Sequence, residues 1–303
     1  MQNRRVFVKQ MAAASALASI GGLGLSSCEA SKTKKITILH TNDVHSQIDP
    51  LPTNHYKYPG LGGFARRASL IDQVRKENPN TLLLDAGDIF QGTPYFNFYG
   101  GELEFKLMSK LKYDVATIGN HDFDNGISGL LAQMSHATFD FVSANYDFAK
   151  TDLVEFVKPY RIIEKEGIKI GIFGLGVELE GLVSKKLYKE TRYLDPIEIS
   201  QDIVSVLKHE QGCDLIICLS HLGYSYKSDK VSDLVLAKAT QNIDLIIGGH
   251  THTVLPTPVQ IRNAAGQPVL INQCGKSGVY MGQIDFYFDS KEKVSSTGRT
   301  IVV

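Results

Sequence analysis

The sequence predicts an α/β fold, and three observations carry the prediction. Short β-branched or leucine-rich runs recur along the chain, helical patterns lie between many of them, and polar clusters flanked by glycine follow several of the runs. Taken in order, strands are expected at 35–39, 81–84, 115–118, 139–143, 169–175, 215–219, 245–247 and 269–272. These runs are apolar almost throughout, as in strands buried on both faces. Helices are expected at 63–77, 102–111, 127–136, 196–210 and 230–241. Residues 281–288 alternate apolar and polar side chains and read as an antiparallel or edge strand. No internal repeat or long linker interrupts residues 36–303, so one domain is expected there.

Residues 1–28 read as a targeting segment. Arg4-Arg5-Val6-Phe7-Val8-Lys9 is a twin-arginine pattern, and the Ala/Gly/Ser/Leu run from Met11 to Leu25 is too short and glycine-rich to span a membrane. Leu25-Ser26-Ser27-Cys28 resembles a lipobox, which would make Cys28 the lipidated first residue of an exported, membrane-anchored protein facing the periplasm or the cell surface. Each buried acyl methylene would add about 0.8 kcal/mol to anchoring. Residues 29–35 are polar and suit a tether. The remaining cysteines, Cys213, Cys218 and Cys274, are odd in number and scattered, which is no disulfide framework. Cys218 lies within an apolar run and reads as a buried small hydrophobe. Lys+Arg and Asp+Glu balance at 32 each, so no nucleic-acid polymer is expected as a partner.

The chemistry is concentrated in five stretches, each after an expected strand: Asp43-Val44-His45, Gly87-Asp88, Gly119-Asn120-His121-Asp122, Ser220-His221 and Gly248-Gly249-His250-Thr251-His252. Strand C-terminal ends are where α/β sheets gather functional groups. Asp43 and His45 alternate about Val44, and His250 and His252 about Thr251. Each pair is therefore expected to point to one side of an extended segment. Asp88, in a glycine-flanked turn, suits a bridging carboxylate, while Asn120 offers an amide oxygen and His221 an imidazole. Mixed oxygen and nitrogen ligands suit two divalent ions such as Zn, Mn, Fe or Co. With Asp43 and Asp88 as the anionic ligands, two such ions leave about two positive charges, which favours a phosphate dianion over calcium storage. The competing reading makes each residue a structural polar group in a loop; the five stretches together argue against it. Gly275-Lys276-Ser277 looks like half of a phosphate-binding loop, but position 270 is Leu where that motif needs glycine, so the motif is rejected.

His40-Thr41-Asn42-Asp43-Val44-His45, Asp85-Ala86-Gly87-Asp88, Gly119-Asn120-His121-Asp122-Phe123-Asp124, Ser220-His221 and Gly248-Gly249-His250-Thr251-His252 together resemble the calcineurin-like metallophosphoesterase superfamily. The nearer resemblance is to the 5′-nucleotidase/UDP-sugar hydrolase family, over nearly the whole mature chain. It implies an αββα sandwich with the dimetal site at strand C-terminal ends. It also implies roles. Asp43, His45 and His252 would hold one metal, Asn120, His221 and His250 the other, and Asp88 would bridge them. Asn120 and His121 would contact the phosphoryl group, with Asp124 orienting His121 as an acid–histidine dyad. A metal-bound hydroxide would attack phosphorus in line with the leaving group. Asn42, Asp122 and Asp85 are expected to brace the site.

Members of that family carry a second, C-terminal domain that holds the nucleoside. A separate polypeptide is expected to supply it here, or the catalytic domain works alone. The function expected is an exported dimetal phosphohydrolase acting on nucleotide phosphomonoesters. The alternatives are a phosphodiesterase or nucleotide-sugar pyrophosphatase on the same centre, and a subunit inactive without its partner. Asn145 is a further candidate for the site. His40, His55, His136 and His209 fit no ligand spacing and read as surface or capping residues, and Arg66 and Arg67 as a solvated helix face.

Overall fold

The computed structural model describes residues Thr33–Val303; Arg4, Arg5 and Cys28 lie outside them. In chain order, β1 (Lys34–Thr41), α1 (Phe64–Glu77), β2 (Thr81–Asp85), α2 (Pro94–Tyr99), α3 (Glu102–Lys110) and β3 (Val115–Thr117) lead to a 3-10 turn at His121–Phe123 and α4 (Gly126–Met134). β4 (Asp140–Val142), β5 (Tyr146–Asp147), β6 (Val157–Lys158), β7 (Tyr160–Lys165) and β8 (Ile168–Gly176) follow. Next come α5 (Lys185–Tyr188), β9 (Arg192–Tyr193), α6 (Pro196–Ser205), β10 (Leu215–His221) and α7 (Asp233–Ala239). β11 (Leu245–Gly248), β12 (Val259–Arg262), β13 (Pro268–Asn272), β14 (Tyr280–Asp289) and β15 (Glu292–Val302) end the chain.

One sheet has the order β15-β14-β1-β2-β3-β4-β6 and the other β12-β13-β11-β10-β8-β7; β5 and β9 pair separately. The first sheet is parallel from β1 to β6 with antiparallel β14 and β15 on one side, and the second is parallel at its centre with antiparallel β12 and β7 at its two edges.

Side-chain alternation decides how these sheets pack. Ile36 and Ile38 of β1, Leu82 and Leu84 of β2, and Ile284 and Phe286 of β14 share one buried layer with Ile170 and Ile172 of β8, Leu215 and Ile217 of β10, and Ile247 of β11. Their neighbours in sequence turn the other way. Leu39, Leu83 and Ala116 pack on Ile71 of α1, Phe105 of α3 and Leu130 of α4. Phe173, Ile216 and Ile246 pack on Val204 of α6 and Leu236 of α7. The molecule is therefore an αββα sandwich, mixed in both sheets. Each fully buried aliphatic side chain stabilises it by roughly 1.5–3 kcal/mol. The two sheets approach closely at Gly174, where a Cβ would lie 2.1 Å from the Val142 carbonyl oxygen of the opposite sheet.

The expected elements are present, with shifted ends. The helix expected from 196 begins at Pro196 because the Asp195 side chain accepts from the amides of Ile197 and Glu198 at 2.8 and 2.9 Å. The one expected from 230 starts at Asp233, behind the Ser232 cap. The strand read at 281–288 as antiparallel or edge is β14, antiparallel to both β1 and β15. Two readings are corrected. Arg67 is no solvated residue: it is 1% exposed and stacks on the Phe64 ring at 4.5 Å. His40 is fully buried within β1, with Nε2 3.1 Å from the Asn272 amide nitrogen. Among the described residues no helix is long and apolar enough to cross a membrane.

Candidate metal centre

The C-terminal ends of β1, β2 and β3 from one sheet, and of β10 and β11 from the other, meet at one place. Asp43 and His45 follow β1, Asp88 follows β2, Asn120 and His121 follow β3, His221 ends β10, and His250 and His252 follow β11. The extended geometry expected for these pairs is not what forms. Asp43, His45, Asp88, His250 and His252 all have positive φ, between 50° and 68°. Left-handed backbone at non-glycine residues is unfavourable, by order 1–3 kcal/mol each, and clusters at functional sites. Here it curls each loop so that the side chains converge.

They converge in two groups. Asp43, His45 and His252 bring one ligand atom each within 4.8 Å of one another, and so do Asp88, His221 and His250. In the first, His45 Nε2 lies 3.1 Å from His252 Nε2, and His252 Nε2 lies 3.3 Å from Asp43 Oδ1. In the second, His221 Nε2 lies 3.1 Å from Asp88 Oδ2. Asn120 Oδ1 joins it, 2.8 Å from His250 Nδ1. Asp88 Oδ2 is also 3.8 Å from His45 Nε2, so its carboxylate stands between the two groups.

Hydrogen bonds to the backbone set which ring nitrogen is free. His221 Nδ1 donates to the Ala86 carbonyl at 2.7 Å and His45 Nδ1 to that of Gln91 at 3.0 Å. Both rings therefore turn Nε2 inward, leaving to a metal the nitrogen the backbone does not occupy. His221 Nε2 is fully buried, with the Asp88 carboxylate 3.1 Å away as its one close partner. Burial opposes charge on His221, but Asp88, Asp43 and the Ala86 carbonyl outweigh it and raise the ring to about 10. Asp88 is held well below the ordinary carboxylate range: burial opposes this, and His221, His45 and His121 overcome it. The site strongly favours bound positive charge, and its donor set of carboxylate, imidazole and amide oxygen fits two divalent cations.

A second layer fixes the ligands. Asn42 donates to Asp43 Oδ2 at 2.6 Å and accepts from the Cys274 amide at 2.9 Å. Asp122 accepts from the amides of Asp88, Ile89, Phe90 and Gly119, tying the β2 and β3 loops together. Asp85 accepts from Thr41 Oγ1 at 2.6 Å and from the Gly87 amide at 2.9 Å, and does not reach the cluster. Gly119 has no alternative: a Cβ there would stand 2.2 Å from Asp88 Oδ1. His121 belongs to neither ligand group. Its Nδ1 lies 2.9 Å from Asp124 Oδ2 across the 3-10 turn, and that hydrogen bond raises the ring above its ordinary pKa against the effect of burial.

Asn145 does not face the cluster; both its amide atoms bind the backbone of Gly176, at 2.8 and 2.7 Å. His40, His55, His136 and His209 join neither group. The cleft beside the cluster is about 240 Å3 and is lined by His45, Gln47, Gln91, Gly92, His121, His252, Lys276 and Ser277. Gln47 and Gln91 were not singled out in the sequence. Their closeness in sequence to His45 and Asp88 was the available signal.

The calcineurin-like phosphoesterase family matches residues 36–254. The chain belongs to that family. Within it, this phosphoesterase is 35% identical over 291 residues to a snake venom 5′-nucleotidase of Crotalus adamanteus, covering 89% of this chain and 48% of that protein. It is 33% identical to a 5′-nucleotidase of Vibrio cholerae, covering 95% and 55%. Among solved structures, a 5′-nucleotidase precursor from Thermus thermophilus superposes with a TM-score of 0.81 at 33% identity, covering 89% of this chain and 55% of that one. An NAD nucleotidase from Haemophilus influenzae gives 0.78 at 30%, covering 90% and 57%. The chain thus spans about half the length of these relatives.

Proposed function

We propose that this phosphoesterase hydrolyses nucleotide phosphomonoesters at a two-metal centre. One observation carries the reading: Asp88, a member of the group with His221 and His250, also lies 3.8 Å from His45 of the other group, with His121 beside them and outside both. Asp43, His45 and His252 would hold one divalent cation, His221, His250 and Asn120 the other, with Asp88 shared; Zn, Mn, Fe and Co all suit these donors. Bound there, the two ions supply Lewis acidity toward a phosphoryl oxygen and activate a water.

The remaining work falls to the chain itself. With Nδ1 held by Asp124, His121 presents Nε2 to the cleft. The raised pKa keeps the ring cationic further into the neutral range, where it offsets negative charge gathering on phosphoryl and leaving-group oxygens. Asn120 presents a side-chain amide beside it. Among the described residues no carboxylate lines the cleft, so a phosphate dianion meets no like charge from them there. The relatives named 5′-nucleotidases favour a nucleotide as substrate. The twin-arginine and lipobox patterns of residues 1–28 support export and anchoring through Cys28.

The test is phosphate release from AMP by the purified, Mn2+-loaded chain, with and without chelator. Chelator-sensitive release is expected. Two bound ions without release would overturn self-sufficiency and point to a further polypeptide that supplies the nucleoside site.

A further inference from the structure

We propose that Lys276 is a specificity-determining residue, binding a second phosphate group next to the one held over the metal ligands; this rests on the phosphohydrolase reading above. The cleft lining of three imidazoles, two side-chain amides, a serine and Lys276 contains one permanent charge, and that charge is positive. Metal ligands and His121 already serve the reacting phosphoryl group. Lys276, exposed at the cleft, is left for an anion beyond it.

The backbone presents this lysine firmly. Gly275, Ser277 and Gly278 are all left-handed, with φ of 71°, 60° and 59°, so the segment curls tightly around Lys276. The Ser277 amide donates to the Asp43 carbonyl at 2.8 Å, and Asn42 Nδ2 donates to the Gly275 carbonyl at 2.7 Å. The turn is thereby bolted to the same residues that place Asp43. From below, the buried Arg67 guanidinium packs against Gly278 and reaches the Gln47 carbonyl at 3.5 Å. Buried Arg67 thus supports two neighbouring segments of the cleft wall. The Gly275-Lys276-Ser277 run fails as a nucleotide loop, yet it places Lys276 in the cleft lining. A lysine ammonium binds phosphate as a compact point charge. The substrates such an arrangement favours carry a phosphate adjoining the scissile one, as nucleoside diphosphates do.

The experiment is calorimetric binding of inorganic phosphate and of methylenediphosphonate to the full chain at fixed free Mn2+. Wild type is expected to bind the diphosphonate more tightly than phosphate. Lys276→Gln should weaken diphosphonate binding about tenfold more than phosphate binding, the size of one charge-assisted hydrogen bond, and Lys276→Arg should restore the preference. Equal weakening of both probes, or of neither, overturns the proposal. The readout is binding alone, so failure of AMP hydrolysis would overturn the chain's self-sufficiency and leave this ratio to be judged by itself.

Discussion

His45 and His252 aim their Nε2 atoms at each other across 3.1 Å, although one ring already commits Nδ1–H to a backbone carbonyl. Burial holds His45 below its ordinary pKa, so its Nε2 is ready to accept a cation at neutral pH. A divalent cation bridges the two Nε2 atoms well. Binding at a hundredfold excess over Kd contributes about 2.7 kcal/mol. Chelation is therefore expected to lower Tm by roughly 5–10 °C. Scanning calorimetry with and without chelator checks this; an unchanged Tm would show that no cation is bound here.

Gly119→Ala should disturb the cluster without replacing any ligand. The added methyl group would meet Asp88 Oδ1 at 2.2 Å and push the shared carboxylate aside. Metal affinity is expected to fall roughly 10–100-fold, as on loss of a supporting partner. Metal content by mass spectrometry, beside an unchanged far-ultraviolet circular dichroism spectrum, reads the effect.

His121→Ala is expected to lower turnover about 10²–10⁴-fold while both metals stay bound. Loss of metal would make His121 a ligand instead. Asp124→Asn tests the dyad through pH. The Asp124 hydrogen bond raises His121, so the cationic ring survives to higher pH than a free imidazole. Without it, the alkaline limb of the pH–rate profile should move to lower pH. A profile that scales down without moving would refute the dyad.

Asp233, outside both ligand groups, supplies a stability prediction. Burial raises its carboxyl from 3.8 to about 8 although Ser220 donates to Oδ1 at 2.5 Å, and Oδ2 has no partner. Because the folded pKa exceeds the unfolded one, the stabilising effect is complete below about pH 4. It is lost as pH rises toward 8. Asp233→Asn should therefore raise Tm more at pH 8 than at pH 5, by about 2–4 °C for each kcal/mol recovered. Equal shifts at both pH values would contradict this.

Much of the fold was legible because β8, β10 and β11 are continuous apolar runs, which only burial on both faces explains. β15 was not, since Glu292–Val302 is largely polar and is held in place by pairing with β14. Arg67 shows a legible signal passed over. It falls with Phe64, Ile71 and Val74 on one helical stripe, so its position was internal although its chemistry suggested the surface. His40, between Leu39 and Thr41 in a strand, is a similar case. The residues that converge could be named from motif order, but the left-handed turns that gather them could not. Aspartate and histidine tolerate such backbone without demanding it.

The cluster draws on both sheets, and residues that meet in it, such as His45 and His252, lie 207 positions apart. A chain halted with either sheet unformed has half a coordination sphere. Loops this long close late during folding. Tight cation capture then becomes a mark of completed folding, and neither half of the polypeptide, expressed alone, should retain metal through gel filtration.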